Sequence, residues 1–256
     1  MAKNIYDTPE FFAEYSSFTK QKNGLEYAEE WPLLRALLPD PTGIKAMDIG
    51  CGFGWFSRWA MEVGAESVRA IDGSENMLNK AREMTRNNNI LYEKADLETI
   101  VFDKDEEDTY GLIFSSLVLH YVVNLESLFH QIHRVLTDGG SFVFCAEHPI
   151  FTAPSIAEPF NNKETGKLCW PLERYQEEGV RQTDWLVKGF QKQHRTMASY
   201  INILLKVGFE ITGFDEGYLS TGKIQELHGW ERLDVPKYLM ISAVKRRFSL
   251  QHGESI

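Results

Sequence analysis

The sequence predicts an α/β fold, and three observations point to it. A short apolar run, Ile44 to Met47, leads into Asp48-Ile49-Gly50-Cys51-Gly52-Phe53-Gly54 and then into an amphipathic stretch, Trp55 to Val63. That succession reads as strand, glycine turn and helix. The same alternation of apolar run and helical pattern continues to Cys145, as in a largely parallel sheet with helices packed on it. The length of 256 residues, with 43% hydrophobic and 25% charged side chains, fits one globular α/β domain with room for an insertion.

Taken in order, residues 1–40 read as helical and rich in aromatics. A helix is expected from Pro9 to Tyr15 with Thr8 as its cap, and a second from about Gly24 to Leu38, stopped near Pro39-Asp40-Pro41. In the glycine turn that follows the first strand, glycines stand at every second position: Gly50, Gly52 and Gly54. A dinucleotide fingerprint needs its third glycine five residues after the first, where this chain has Trp55. Asp48, at the strand end, would repel a pyrophosphate and attract a ligand carrying an amine and a sulfonium. The second strand, Glu66 to Ile71, ends in Asp72, 24 residues after Asp48 (72 minus 48). A carboxylate there can accept from both hydroxyls of a ribose, or be an ordinary strand-end acid. Gly73 follows, and Ser74 can cap a helix running from Glu75 to Asn87.

The acid, the three alternate glycines and the second acid together resemble motif I and its successor in the class I S-adenosylmethionine (SAM) methyltransferases of small-molecule type. The resemblance implies a Rossmann-like, mostly parallel sheet of seven strands with flanking helices, the last strand antiparallel. It implies SAM as cofactor and S-adenosylhomocysteine as product. Asp48, Gly50, Gly52, Gly54, Asp72 and Gly73 would hold the cofactor, and Met77 of Ser74-Glu75-Asn76-Met77-Leu78 would lie near the adenine, unless it is plain core. Residues 1–40 would cover the pocket, where Tyr15 and Tyr27 either touch ligand or only pack. The cofactor core would span 41–146.

A third strand, Ile90 to Lys94, is closed by Ala95-Asp96-Leu97-Glu98. By the same resemblance Asp96 accepts from the adenine amine and the Leu97 backbone meets the ring; otherwise Asp96 is a helix cap or loop acid. The acidic run Asp103 to Asp108 reads as a solvated connection, lacking the spacing and glycine of a calcium loop. A fourth strand covers Tyr110 to Ser115, and the resemblance places Ser115 in the cofactor pocket. Many relatives have Asp where Gly111 stands here. The segment after this strand lacks the proline-rich signature of nucleic-acid amino-methyltransferases. A helix is expected over Leu125 to Leu136, ended by Thr137-Asp138-Gly139-Gly140, with strand five over Ser141 to Ala146.

Residues 147–193, with four prolines and many aromatics, form an expected insertion after strand five. It reads as a substrate cap, where Tyr175, Trp185 and the adjoining Arg195 can shape a substrate. Residues 194–247 complete the core: a helix opening at Gln193-His194 and closing at Val207-Gly208-Phe209, strand six over Glu210 to Asp215, and a last strand over Tyr238 to Val244. Residues 248–256 are a tail. Methyl transfer needs a base only where the nucleophile must lose a proton. The base candidates are His148 first, His120 second and His194 third, each of which can equally be a hydrogen-bonded structural histidine.

The bulk properties bound the function. A net charge of −10 argues against nucleic acid as partner. The run Lys245-Arg246-Arg247 is too short to signal a polynucleotide site. No apolar run of about 18 residues predicts a membrane span. Cys51, Cys145 and Cys169 show no metal spacing. They read as reduced thiols of a cytoplasmic protein, and no metal is expected. The expected activity is SAM-dependent methyl transfer to a small-molecule O, N or C nucleophile, with oligomeric state unspecified. The alternatives are a SAM-binding protein without methyl transfer and a nicotinamide-dependent oxidoreductase.

Overall fold

The computed structural model describes residues 4–217 and 235–246; the expected tail lies outside them. The chain opens with α1 (Pro9–Ser17), α2 (Thr19–Asn23) and α3 (Trp31–Ala36). The core then alternates as β1 (Lys45–Ile49), α4 (Trp55–Glu62), β2 (Ser67–Asp72), α5 (Glu75–Met84), β3 (Ile90–Lys94) and β4 (Tyr110–Ser116). It continues with α6 (Leu125–Val135), β5 (Leu136–Glu147) and α7 (Pro149–Thr152). Two small hairpins follow, β6 (Phe160–Asn161) with β7 (Leu168–Cys169), and β8 (Gly179–Trp185) with β9 (Val187–His194). The chain returns to the core through α8 (Met197–Val207), β10 (Phe209–Asp215) and β11 (Tyr238–Lys245).

Seven strands form one sheet in the order β10-β11-β5-β4-β1-β2-β3. β11 runs antiparallel to both β5 and β10, and the rest are parallel. The expected seven-stranded α/β sheet with an antiparallel last strand is what the chain adopts. Its order reverses between β1 and β4, and ligands of open α/β sheets gather at such a switch point, beyond the C-terminal strand ends.

Alternation along the strands supplies both faces of the sheet. In β1, Ala46 faces one core with Trp31, Phe56 and Leu78, while Met47 and Ile49 face the other with Phe129, Ile132 and Tyr200. Phe56 of α4 stacks on Phe114 of β4 at a centroid distance of 3.8 Å. Emptying a site of that kind with alanine costs about 3–5 kcal/mol. Caps fix the helix starts: Ser74, Asn124 and Thr196 each accept a backbone N–H with the side chain, at 3.2 Å in all three.

Several boundaries differ from expectation. The helix expected over Gly24 to Leu38 is instead a 3-10 turn, Leu25–Tyr27, followed by α3. Pro32 explains the break, because its ring cannot sit inside a helix but suits the first turn of a new one. Thr8 does precede α1, yet its hydroxyl donates to Ile5 O instead of capping. α5 stops at Met84, three residues short of Asn87, where the Thr85 hydroxyl meets Ala81 O and Tyr92 Oη. The Thr137–Gly140 turn lies within β5: Tyr110 pairs with Leu136 but Leu112 with Ser141, so those four residues stand out of the ladder. His194 ends β9, and the helix begins only after the Thr196 cap.

Candidate active site

The turn after β1 is built on glycine for steric reasons. Gly50 has φ +73°, and a Cβ on it would stand 2.1 Å from Val118 Cγ2. Gly54, which starts α4 at φ +69°, would place a Cβ 2.2 Å from Tyr92 Oη. A Cβ on Gly52 would meet nothing within 4 Å, so bare main chain faces open space there. Gly50 N and Cys51 N donate to Ile71 O at 2.7 and 3.0 Å and tie the turn to β2.

Two acids frame this turn. Asp48 is 2% exposed and accepts from Ser57 Oγ at 2.6 Å. Burial pushes its carboxyl up to about 7, aided by repulsion from Asp72 and opposed by the Ser57 bond. Asp72 uses both oxygens: Oδ2 accepts from Gly52 N and Oδ1 from Ser74 N, each at 2.8 Å. Burial raises it to about 6 against those two bonds, with Asp7 adding repulsion. Asp7 itself accepts from Ser74 Oγ at 2.6 Å and Asn76 N at 3.1 Å.

Asp48, Gly50 and Gly52 line a single cavity with Trp55, Tyr15 and Ser116. Glu30 and Gln21 also face it from the N-terminal segment. The Arg58 guanidinium lies 4.4 Å from the Trp55 ring and its Nη1 donates to Phe53 O, which holds the indole in place. Trp55 Nε1 and Ser116 Oγ are buried without a hydrogen-bond partner among the described residues. Two orphaned polar atoms in one cavity fit a polar ligand that completes them.

The remaining expected cofactor residues stand around this centre. Gly73 and Met77 lie at the head of α5, with Met77 buried. Ala95 N donates to Asp72 O at 3.1 Å, which brings the Asp96-Leu97 turn beside Asp72. Asp96 is exposed and accepts from Glu98 N at 3.0 Å, while Leu97 packs partly against the core. Ser115 is fully buried and is not among the cavity residues; its neighbour Ser116, one pleat on, is. Tyr15 reaches the cavity, whereas Tyr27 is 59% exposed.

The three histidines differ sharply. His148 caps α7: its Nδ1 accepts from Ile150 N at 3.1 Å, so the proton sits on Nε2, which donates to Glu216 at 3.0 Å. Burial lowers its pKa despite that carboxylate. His194 is equally engaged, by the Thr152 hydroxyl at 2.8 Å and Tyr175 O at 2.9 Å. His120 is 1% exposed; its Nδ1 accepts from Glu147 N at 3.3 Å, and its Nε2 has no hydrogen-bond partner among the described residues. Burial drops it to about 4. Of the three, it is the one with a ring nitrogen that makes no hydrogen bond among the described residues, although that Nε2 lies 4.0 Å from Glu147 Oε1.

Sequence reasoning did not single out Ser116, Tyr6, Asp7 or Lys192. The Tyr6 hydroxyl donates to Tyr121 Oη at 3.4 Å, and Lys192 Nζ donates to Glu147 Oε1 at 2.6 Å. Only the strand-end position of Ser116 was a signal; the others reach the region through tertiary packing. The Trp185 side chain lies outside the described residues. No group of three or more potential metal ligands occurs among those residues. No helix among them is long and apolar enough to cross a membrane.

Comparison with known proteins agrees with this geometry. The sequence profile of a family described as a methyltransferase domain matches residues 47–144. An uncharacterized protein of Haemophilus influenzae is 32% identical over 221 residues, 85% of this chain and 87% of that protein. The crystal structure of a SAM-dependent methyltransferase from Mesorhizobium loti superposes with a TM-score of 0.80 at 44% identity, over 86% of this chain and all of that one. One of a putative SAM-dependent methyltransferase from Listeria monocytogenes gives 0.76 at 37% identity, over 86% of this chain and 99% of that one. Glycine turn, flanking acids and sheet order thus coincide with whole-chain likeness to enzymes of one kind: this chain belongs to the SAM-dependent methyltransferases.

Proposed function

We propose that the chain transfers the SAM methyl group to an O, N or C nucleophile of a small molecule. The observation that carries the reading is the placement of Asp72, whose carboxylate is anchored by Gly52 N and Ser74 N beside the open space over Gly52. In this reading Asp72 accepts from the ribose hydroxyls and Asp48 attracts the cofactor's amine. Gly50, Gly52, Gly54 and Gly73 let main chain approach it. Met77, Asp96 and Leu97 surround the adenine, and Ser115 supports the same pocket from β4. Bound SAM supplies a methyl on a sulfonium, already activated toward in-line displacement. The protein's part is to align the nucleophile and exclude water.

The acceptor would enter between the N-terminal segment, residues 1–40, and the inserted segment, residues 147–193. We read the latter as a substrate cap. Aromatic rings favour a small organic body over a polyanion, and a net charge of −10 disfavours nucleic acid. We place the protein in the cytoplasm on its three scattered cysteines. His148 and His120 are the base candidates of the chain. With both ring nitrogens of His148 engaged, His120 is the better placed. At a pKa of about 4 it is neutral at pH 7, and so a hydrogen-bond donor through Nε2 more than a proton acceptor.

Calorimetric titration with SAM, S-adenosylhomocysteine and NADH, on the wild type and Asp72→Ala, tests the reading. Binding of the two adenosyl-sulfur ligands near the micromolar range, with loss in the variant, supports it. Binding of NADH, or full affinity in Asp72→Ala, would sink it. SAM affinity without turnover across a broad acceptor screen would favour a SAM-binding protein without methyl transfer.

A further inference from the structure

Two side chains in the cavity beside the glycine turn are left over once the protein's own hydrogen bonds are assigned. Trp55 opens α4 and Ser116 ends β4, and both line the cavity. Trp55 Nε1 and Ser116 Oγ are buried without a hydrogen-bond partner among the described residues. The turn's own main chain is largely committed. Gly50 N and Cys51 N donate to Ile71 O, Gly52 N to Asp72, and Gly54 N to Cys51 O at 2.8 Å. Gln21 Nε2, also at the cavity, donates to Tyr15 Oη at 2.8 Å.

The walls narrow the chemistry of a ligand. An indole N–H only donates and a hydroxyl can donate, so an oxygen acceptor suits both. Orphaned buried groups are costly, and a ligand that supplies their partner relieves that cost. Asp48 and Glu30 line the same cavity and would repel an isolated anion. A carboxylate carried next to an ammonium meets both conditions, because the ammonium can face Asp48 while the carboxylate turns to the donors. The Arg58 guanidinium, 4.4 Å from the Trp55 ring, places a positive charge beside the indole and favours an anion near it. Gly24 of the N-terminal segment also packs on that ring: a Cβ there would stand 3.1 Å from Trp55 Cζ3. The indole is therefore held from both segments that border the cavity.

We propose that Trp55 Nε1 and Ser116 Oγ bind the α-carboxylate at the methionyl end of the cofactor, an inference that rests on the cofactor reading above. That reading gives the amine to Asp48 and the ribose to Asp72 and leaves the carboxylate unassigned. The sulfonium lies along the same short chain as the carboxylate. Anchoring the carboxylate at Trp55 and Ser116 helps to fix the methyl group over the glycine turn.

The test is calorimetric titration of the full chain with three ligands. They are S-adenosylhomocysteine, its decarboxylated analogue, which keeps the amine, and its deaminated analogue, which keeps the carboxylate. Wild type should bind S-adenosylhomocysteine about tenfold or more tightly than the decarboxylated analogue, as expected for charge-assisted hydrogen bonds. That preference should fall by about fivefold in Trp55→Phe and in Ser116→Ala. The deaminated analogue should weaken by the same factor in both variants, which separates the effect from the amine. Affinity for the decarboxylated analogue should stay within about twofold of wild type and certifies the fold. Wild type that binds S-adenosylhomocysteine no better than the decarboxylated analogue overturns the proposal, as does a preference unchanged in either variant. Equal weakening of all three ligands in Ser116→Ala, which removes a single oxygen, also overturns it, whether or not Trp55→Phe disturbs α4. Wild type that binds none of the three overturns the cofactor reading itself and this assignment with it.

Discussion

Cofactor affinity should depend on pH in a way that the two buried acids set. Asp48 has its carboxyl pushed up to about 7 by burial, and Asp72 to about 6. In the cofactor-free protein at pH 6, about one Asp48 in eleven is therefore ionised, and at pH 8 about ten in eleven. If Asp48 must be ionised to hold the ligand's ammonium, S-adenosylhomocysteine binds about tenfold more weakly at pH 6 than at pH 8. Ionisation of Asp72 for the ribose contributes about another factor of two at pH 6, for about twentyfold in all. Calorimetry at pH 6, 7 and 8, in buffers of different ionisation enthalpy, reads both the affinity and the protons released. At pH 6 about one to one and a half protons should leave the protein per ligand bound. In Asp48→Asn only the twofold Asp72 part should remain. Affinity that is flat from pH 6 to pH 8, with no proton release, would refute the role given to Asp48.

The same carboxyl shapes stability. The folded protein holds Asp48 at about 7 against an ordinary value of 3.8, so its contribution is complete below pH 3.8 and is lost as pH rises through about 7. The difference is about 4 kcal/mol. Urea denaturation of the cofactor-free protein should show Asp48→Asn gaining on wild type by about that amount between pH 4 and pH 8; a constant difference would count against a buried protonated Asp48. Gly50→Ala should destabilise by about 2–5 kcal/mol, from left-handed backbone strain and overlap with Val118. Adding Val118→Ala should recover the overlap part and leave about 1–2 kcal/mol of strain; no recovery in denaturation midpoint would place the clash elsewhere.

Much of this fold could be read from the chain, and the misses have physical causes. The strands β1 to β4 were predictable because each is a short apolar run ended by a polar or glycine turn. The glycine turn was legible because its steric demand is local: only glycine tolerates Val118 and Tyr92 so close. Pro32 was a visible break in the helix expected over Gly24 to Leu38, since proline suits only the first turn of a helix. The β5 boundary was missed because an outlooping of four residues preserves strand pairing on both sides, and pairing is not a sequence property. Asp48 was singled out from its strand-end position and Asp72 from its spacing after it, and both stand against the glycine turn. Ser116 in place of Ser115 on the cavity face turns on the pleat, and one residue of register decides it. Lys192 and Arg195 carried no signal beyond proximity to the cap, since their meaning depends on which carboxylates face them after folding.

Charge is unevenly placed along the C-terminal ends of the strands. On the side of β1 and β2 stand Asp48, Asp72 and Asp7, with Ser57, Ser74 and main-chain N–H groups to hold them. On the side of β4, β5 and β9 stand Lys192 and Arg195, with Glu147 paired to Lys192 and Glu178 bonded to Thr196 beside Arg195. The Tyr6–Tyr121 pair lies between, and burial keeps the Tyr6 phenol protonated well above its usual range. In a poorly hydrated interior such a gradient acts on charged ligands at short range. A cation would settle by the aspartates. The sulfonium cofactor of this family is cationic. In the cofactor reading proposed above, the same gradient would draw the sulfonium toward the aspartates.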